Sequence, residues 1–127
     1  MSPALVSAVA VAAGGAVGSV SRWAVGLWLN PLALPFAAGT LVVNCVGGFL
    51  IGASLIWFAR FPNDTLRLAL VTGGLGGLTT FSAFSAESLM LMLRGHFPLA
   101  VAHTLAHVLG ALAFAGLGWW LAKQVWP

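Results

Sequence analysis

Residues 72–87 read TGGLGGLTTFSAFSAE: four glycines within five positions, then hydroxyl groups, two phenylalanines and a carboxylate. Glycine costs about 1 kcal/mol per residue in a helix interior, so this stretch is poor material for a continuous helix. The sequence around it is almost entirely apolar. Non-helical backbone at membrane depth is tolerated only where protein or a water-filled path covers it. The stretch therefore predicts a broken helix inside a membrane protein.

The composition excludes a soluble globule. The 127 residues are 61% hydrophobic and only 6% charged, whereas a soluble domain carries about 25% charged residues. Five cations against two anions give a formal charge of +3 without a basic patch, so nucleic acid is not an expected partner. Cys45 is alone, which excludes an intrachain disulfide. No Lys or Arg precedes the first apolar run, so we expect that segment to remain as a membrane helix.

Breakers and charges divide the chain into four apolar segments, each long enough for a membrane helix of about 20 residues. The predicted fold is all-α and integral to the membrane, with a single four-helix domain over residues 1–127. The helices are expected at about 4–29, 36–59, 63–94 and 98–122, with the third broken near 73–79. Ser2 and Asn63 are expected to cap helix starts, and Gly95 to end the third helix. Four short spans enclose little volume, so an oligomer is expected.

The cations are almost evenly divided between the two predicted sides of the membrane. Arg60, Arg67 and Lys123 lie on the side of both termini, and Arg22 and Arg94 on the other. Positive residues normally collect on the cytoplasmic side and set one orientation. Three against two predicts insertion both ways and hence an antiparallel dimer.

Glycines also recur at four-residue spacing, which lets helix backbones approach closely in lipid. We interpret these pairs as tight packing within the bundle or the oligomer, rather than as ligand contacts. The pairs are Gly14 with Gly18, Gly48 with Gly52, and Gly73 with Gly77.

Polar groups at membrane depth are costly, which makes each a functional candidate. Asn44 either bonds between helices or faces an ion path as an amide donor. Thr79, Thr80, Ser82 and Ser85 either satisfy backbone groups freed by the break or present hydroxyls to an ion. A half-helix that starts near Thr80 would favour an anion at its amide end, and the freed carbonyls would favour a cation.

Phe81 and Phe84 are three residues apart and share one helix face. Core packing is the ordinary explanation, but ring edges are weakly positive and can contact an anion without trapping it. Glu87 is either a proton-coupling carboxylate or a mouth or packing residue paired with a hydroxyl or an arginine.

The remaining candidates are two histidines and one arginine. His103 and His107 are four apart and either bind a metal together or form hydrogen bonds as neutral rings; the second is favoured because two ligands make a weak site. Arg22 either draws anions toward a mouth or extends to the interface. No catalytic triad, phosphate loop or haem or iron–sulfur ligand set is present, so the chain is not expected to be an enzyme.

Three blocks of sequence resemble the Fluc/CrcB fluoride channel family over the whole chain. Residues 14–18 (GGAVG) with Arg22-Trp23 resemble its first-helix pattern, and residues 39–44 (GTLVVN) resemble its second. Residues 76–85 (GGLTTFSAFS) resemble its third-helix core and are the most specific. The chain departs at Ala83 and Ala111, where relatives often carry hydroxyls.

The resemblance implies a passive, fluoride-selective channel that exports cytoplasmic fluoride and so lowers its toxicity. The channel would be an antiparallel, dual-topology homodimer with two pores, multi-pass in the bacterial cytoplasmic (inner) membrane. A structural sodium ion would bind the backbone carbonyls of Gly76 and Thr79 from both subunits. Arg22, Glu87 and His107 would lie at the mouth or support the path. The expected lining of the path is Asn44, Phe81 and Phe84, with Thr80, Ser82 and Ser85.

Two other functions fit a four-span chain. A small multidrug transporter is often antiparallel too, but it needs a carboxylate in the first helix to couple protons to a cationic substrate. The first predicted helix has none. A membrane scaffold would explain the glycine pairs but leaves Asn44, Thr80, Phe81 and Phe84 unexplained.

Overall fold

The computed structural model describes residues 1–32 and 34–127, and within them the chain forms four helical spans. The elements are, in order, α1 (Pro3–Leu29), α2 (Ala38–Arg60), α3 (Asp64–Arg67), a π-helical segment (Leu68–Leu75), α4 (Gly76–Leu78), α5 (Phe81–Leu93) and α6 (Phe97–Val125). The third span, Asp64–Leu93, comprises α3 to α5. By length and composition all four spans can cross a membrane, as predicted. The structure begins α2 two residues later than predicted and ends α6 three residues later.

Local hydrogen bonds account for where these helices begin and end. Ser2 Oγ accepts from the Leu5 N–H (3.3 Å) at the start of α1. Asn63 Oδ1 accepts from the Leu66 N–H (2.9 Å) at the start of α3. Gly95 ends the third span with φ +78°, a backbone conformation that residues other than glycine rarely adopt. These are the caps that the sequence predicts.

The break in the third span is later and narrower than predicted. Gly73 lies in the π-helical segment and Gly77 in α4, so the glycines are helical. The backbone leaves the helix only at Thr79 (φ −82°, ψ 159°) and Thr80 (φ −151°, ψ 122°). The glycines serve close packing instead, since a Cβ on Gly77 would lie 2.6 Å from the carbonyl oxygen of Gly15.

The glycine pairs join helices within the chain. A Cβ on Gly18 would overlap the carbonyl oxygen of Gly74, so α1 and the π-helical segment are in backbone contact. A Cβ on Gly48 would lie 2.5 Å from the carbonyl oxygen of Ala111, so the backbones of α2 and α6 are in contact as well. The predicted packing within the bundle is therefore confirmed for these pairs.

The interior holds most of the buried polar groups beside apolar ones, and the outside is apolar. Among the described residues, Thr40, Thr80, Ser88, His103 and His107 are buried, and many large apolar side chains are exposed. This distribution is the reverse of a soluble protein and suits a lipid environment, in which polar side chains face the bundle interior. The two most extensive packings are α2 against α6 and α1 against the π-helical segment. The break lies beside α2, where the buried polar side chains gather.

Candidate functional site

Asn44 on α2 holds the broken backbone of the third span. The Thr80 N–H donates to Asn44 Oδ1 (2.8 Å), and Asn44 Nδ2 donates to the Thr80 carbonyl (3.0 Å). One side chain thus satisfies the donor and the acceptor that the extended Thr80 would otherwise leave unpaired at membrane depth. The interhelical bonding considered for Asn44 from the sequence is present, and it stabilises the break.

The second amide hydrogen of Asn44 determines the state of His107. The amide cannot be reversed, because Thr80 requires its oxygen and its nitrogen where they are. Asn44 Nδ2 therefore donates to His107 Nδ1 (3.1 Å), which acts as the acceptor. In a neutral imidazole the other nitrogen then carries the hydrogen. His107 Nε2 is buried and has no hydrogen-bond partner among the described residues.

The hydroxyls of the break bond to nearby backbone. Thr80 Oγ1 accepts from the Ala83 N–H (3.1 Å), which caps α5, and lies 3.3 Å from Ser82 Oγ. Thr79 Oγ1 donates to the Leu75 carbonyl (2.8 Å). Ser85 Oγ donates to the Phe81 carbonyl (2.8 Å) and is exposed. α5 therefore starts near Thr80, as the sequence predicts.

A cavity of about 520 Å³ adjoins the break. Its wall combines apolar and aromatic groups with a few polar ones, the character of a ligand pocket. The lining includes Asn44 and Gly48 of α2, Gly76, Thr79 and Thr80 around the break, Phe81 and Phe84 of α5, and His107 and Ala111 of α6. The structure thus brings five residues of the predicted fluoride path and site support into one cavity: Asn44, Thr80, Phe81, Phe84 and His107.

The two phenylalanines share a helix face but have different surroundings. Their rings meet edge to face with centroids 5.3 Å apart. Phe84 is 8% exposed and lies against His107, with centroids 4.7 Å apart, and against His103 at 5.7 Å. Phe81 is 78% exposed, so one ring is part of the interior and the other points out of this chain.

Glu87 lies in a second polar cluster, next to the group formed by Asn44, Thr80 and His107. Glu87 Oε1 accepts from Thr40 Oγ1 (2.5 Å), and Oε2 lies 3.1 Å from His103 Nε2. His103 Nδ1 lies 2.8 Å from Ser88 Oγ, which lies 3.2 Å from Thr104 Oγ1. The hydroxyl pairing predicted for Glu87 is present, with His103 as a second partner. Thr40, Ser88 and Thr104 were not among the predicted site residues.

Hydrogen counting gives this second cluster no net charge. Thr104 gives its hydroxyl hydrogen to the Ala100 carbonyl (2.9 Å), so Ser88 must donate to Thr104 and accept from His103 Nδ1. His103 thus carries a hydrogen on Nδ1, and one further hydrogen lies between Nε2 and the carboxyl group of Glu87. Wherever that hydrogen resides, the charges of Glu87 and His103 sum to zero.

The hydrogen bond from Asn44 to His107 also argues against a metal site at the histidines. Glu87, His103 and His107 each place one ligand atom within 4.8 Å of the others. A metal on His107 Nε2 would require the hydrogen to move to Nδ1, where it would face the amide donor of Asn44. The geometry therefore favours hydrogen-bonding histidines over a metal site.

Four predicted residues do not line the cavity: Arg22, Ser82, Ser85 and Glu87. Glu87 lies in the cluster described above, and Ser82, like Ser85, is exposed on α5. Arg22 on α1 is half-buried and has no ion pair among the described residues. Of the three unpredicted residues, Thr40 had a sequence signal, because it precedes Asn44 by one helical turn. Ser88 and Thr104 had none, since hydroxyls are common in membrane helices.

Comparison with known proteins places the chain in a family. Residues 9–119 match the family model described as CrcB-like protein, Camphor Resistance (CrcB). A relative from Aromatoleum aromaticum, named fluoride-specific ion channel FluC, is 50% identical over 87% of this chain and 86% of its own length. Relatives of the same name from Bordetella petrii (48% identity; 86% of this chain, 85% of the relative) and Klebsiella pneumoniae (44%; 91% and 92%) also match. The relatives are thus named as channels, not enzymes. The chain belongs to the CrcB-like family and is a multi-pass membrane protein.

Proposed function

We propose that this protein is a passive channel selective for fluoride. The observation that carries the proposal is the match to relatives named fluoride-specific ion channels, at up to 50% identity over 87% of this chain. The cavity chemistry supports it. Fluoride is small and strongly hydrated, so a selective path must replace its water with several weak contacts that still allow release.

The aromatic and hydroxyl groups can provide such contacts. Phe81 and Phe84 both line the cavity, and the edge of a phenyl ring is weakly positive, so a ring edge turned toward the cavity would contact an anion favourably. Thr80 lines the same cavity, and its hydroxyl lies beside that of Ser82. None of these groups carries a full positive charge, so an anion is held without a deep trap. In our proposal these side chains form the path.

The proposal extends to an antiparallel homodimer with two pores. The nearly balanced cations support insertion both ways, and the small volume that four short spans enclose supports an oligomer. In the bacterial inner membrane such a dimer would let cytoplasmic fluoride leak out and so lower its toxicity.

Sodium is proposed as the structural ion between the subunits. In a continuous α-helix the Gly76 carbonyl would accept from the Thr80 N–H, but that N–H bonds Asn44. The Thr79 carbonyl would accept from the Ala83 N–H, but that N–H bonds the Thr80 hydroxyl. The break thus removes the helical partner of both carbonyls. Neutral carbonyl oxygens are suitable ligands for a hard cation, and its charge would favour entry of an anion.

Fluoride efflux from proteoliposomes tests the channel. We expect fast fluoride release without a proton gradient and negligible chloride release. Phe84→Ile should lower the rate about tenfold if one aromatic contact is lost, and Phe81→Ile should also lower it. Phe114→Ile is the matched control, because Phe114 lies on α6 with 44% exposure. Absence of fluoride release from the unaltered protein, or release that requires a proton gradient, would refute the channel and favour a coupled transporter.

Two measurements test the assembly. Replacing sodium with N-methylglucamine should weaken both the dimer and the flux; a dimer and flux indifferent to sodium would contradict the ion's structural role. Tags at the termini should be accessible from both sides of the membrane. Accessibility of all termini from one side would exclude the antiparallel arrangement.

A further inference from the structure

The orphaned nitrogen of His107 is the one buried side-chain polar atom, among those the structure describes, that lacks a hydrogen-bond partner. The side chain is 4% exposed and lines the cavity at the break. A buried donor without a partner costs about 1–3 kcal/mol, which a protein tolerates where a ligand supplies the missing acceptor. The atom therefore marks a place in the cavity wall where an acceptor can bind.

The hydrogen-bond pattern specifies the chemistry of that ligand. Thr80 fixes the Asn44 amide, the amide donates to His107 Nδ1, and the hydrogen of the neutral ring is left on Nε2. Nε2 is consequently a donor, which requires an acceptor. A cation is excluded at this atom, and an anion is the strongest acceptor available.

The surroundings of Nε2 favour a small anion. The ring of Phe84 lies 4.7 Å from that of His107, centroid to centroid, so the donor is next to an aromatic wall. Ala111, one turn further along α6, also lines the cavity and contributes no polar side-chain atom. Glu87 belongs to a pair of zero net charge with His103, so the second cluster adds no net negative charge beside this site.

We propose that the Nε2–H of His107 donates directly to fluoride in the path, and that Asn44 acts as a positioning residue that fixes the histidine tautomer. This inference rests on the proposed function and assigns the donor within it. Asn44 has no amide hydrogen left for the ion, because Thr80 and His107 take both. The imidazole is the group that meets the anion.

The direct test is a nitrogen-15 NMR spectrum of protein labelled at histidine. We expect His107 to carry its hydrogen on Nε2 and to have an unprotonated Nδ1. Added fluoride should shift the Nε2 signal and its hydrogen, and the same concentration of chloride should not. A hydrogen on Nδ1, or an Nε2 signal indifferent to fluoride, would overturn the proposal. This measurement needs no substitution and so does not depend on a variant that folds.

Three variants separate the donor from mere packing. His107→Leu should lower fluoride efflux tenfold or more, roughly what one charge-assisted hydrogen bond contributes. His107→Gln offers an amide donor and should recover most of that loss. His96→Leu is the matched control, since His96 is exposed at the start of α6. Equal flux from His107→Leu and the unaltered protein would refute the inference and leave the channel itself intact. No flux from the unaltered protein would refute the channel.

The role of Asn44 has its own readout. In Asn44→Leu the donor to Nδ1 is lost, so the His107 hydrogen should distribute over both ring nitrogens in the NMR spectrum. A spectrum with the hydrogen still confined to Nε2 would mean that Asn44 does not select the tautomer.

Discussion

Replacement of Asn44 by leucine is expected to destabilise the protein by about 2–4 kcal/mol. The side chain makes three hydrogen bonds, two with the Thr80 backbone (2.8 and 3.0 Å) and one with His107 (3.1 Å). Hydrogen bonds between membrane helices average about 0.6 kcal/mol each, so their loss alone amounts to about 2 kcal/mol. The upper figure adds about 1 kcal/mol for each of the two Thr80 backbone groups left unpaired at the break, the low end of the usual cost of such a group.

Equilibrium unfolding in mixed detergent micelles measures this loss, with the fluorescence of the six tryptophans as the signal. Protein and sodium concentrations must be equal across variants, because association and ion binding add to the apparent stability. Ser54→Ala is the control, since Ser54 donates only to the Ile51 carbonyl of its own helix (2.8 Å), and it should lose about 0.6 kcal/mol or less. If Asn44→Leu loses no more than Ser54→Ala, Asn44 does not stabilise the break.

Two further predictions concern packing and charge. Gly18→Ala should destabilise by about 1–3 kcal/mol in the same unfolding assay, because its Cβ would overlap the carbonyl oxygen of Gly74. Gly116→Ala is the control and should be neutral or slightly stabilising, because the space around the new methyl group is open. Equal effects of the two substitutions would disprove the contact between α1 and the π-helical segment. Thr40→Val should lose about 0.6–1.7 kcal/mol with the interhelical hydrogen bond to Glu87, whereas the exposed Thr65→Val should lose almost nothing. A neutral Thr40→Val would show that the bond contributes no net stability.

Most of the fold followed from local sequence. The apolar lengths predicted four spans, and Ser2, Asn63 and Gly95 marked helix ends that the structure has. The position and length of the break could not be predicted from local sequence. Glycine content predicted a break at residues 73–79, but helix propensity is weak against tertiary packing. Here the absence of side chains lets α1 approach, and the helix continues to Leu78.

The sequence also identified the main candidate residues of the site, but not the hydrogen bonds between them. Polar groups are costly at membrane depth and paired aromatic groups can contact an ion, which identified five candidates: Asn44, Thr80, Phe84, Glu87 and His107. Their partners are far apart along the chain, and spacing within one helix cannot pair residues on different helices. His103, for example, bonds to Glu87 sixteen residues earlier, across two helices.

What the sequence by itself determined is therefore the class of the protein: composition and segment length require a membrane, and residues 72–87 mark where the third helix is interrupted. Only the tertiary structure decided which groups remain available for chemistry. Each buried donor and acceptor at membrane depth must find a partner in the protein, and the pairs form between helices. The Asn44 amide uses its hydrogen bonds on the Thr80 backbone at the break and on His107 Nδ1. The Nε2–H of His107 is left without a hydrogen-bond partner among the described residues.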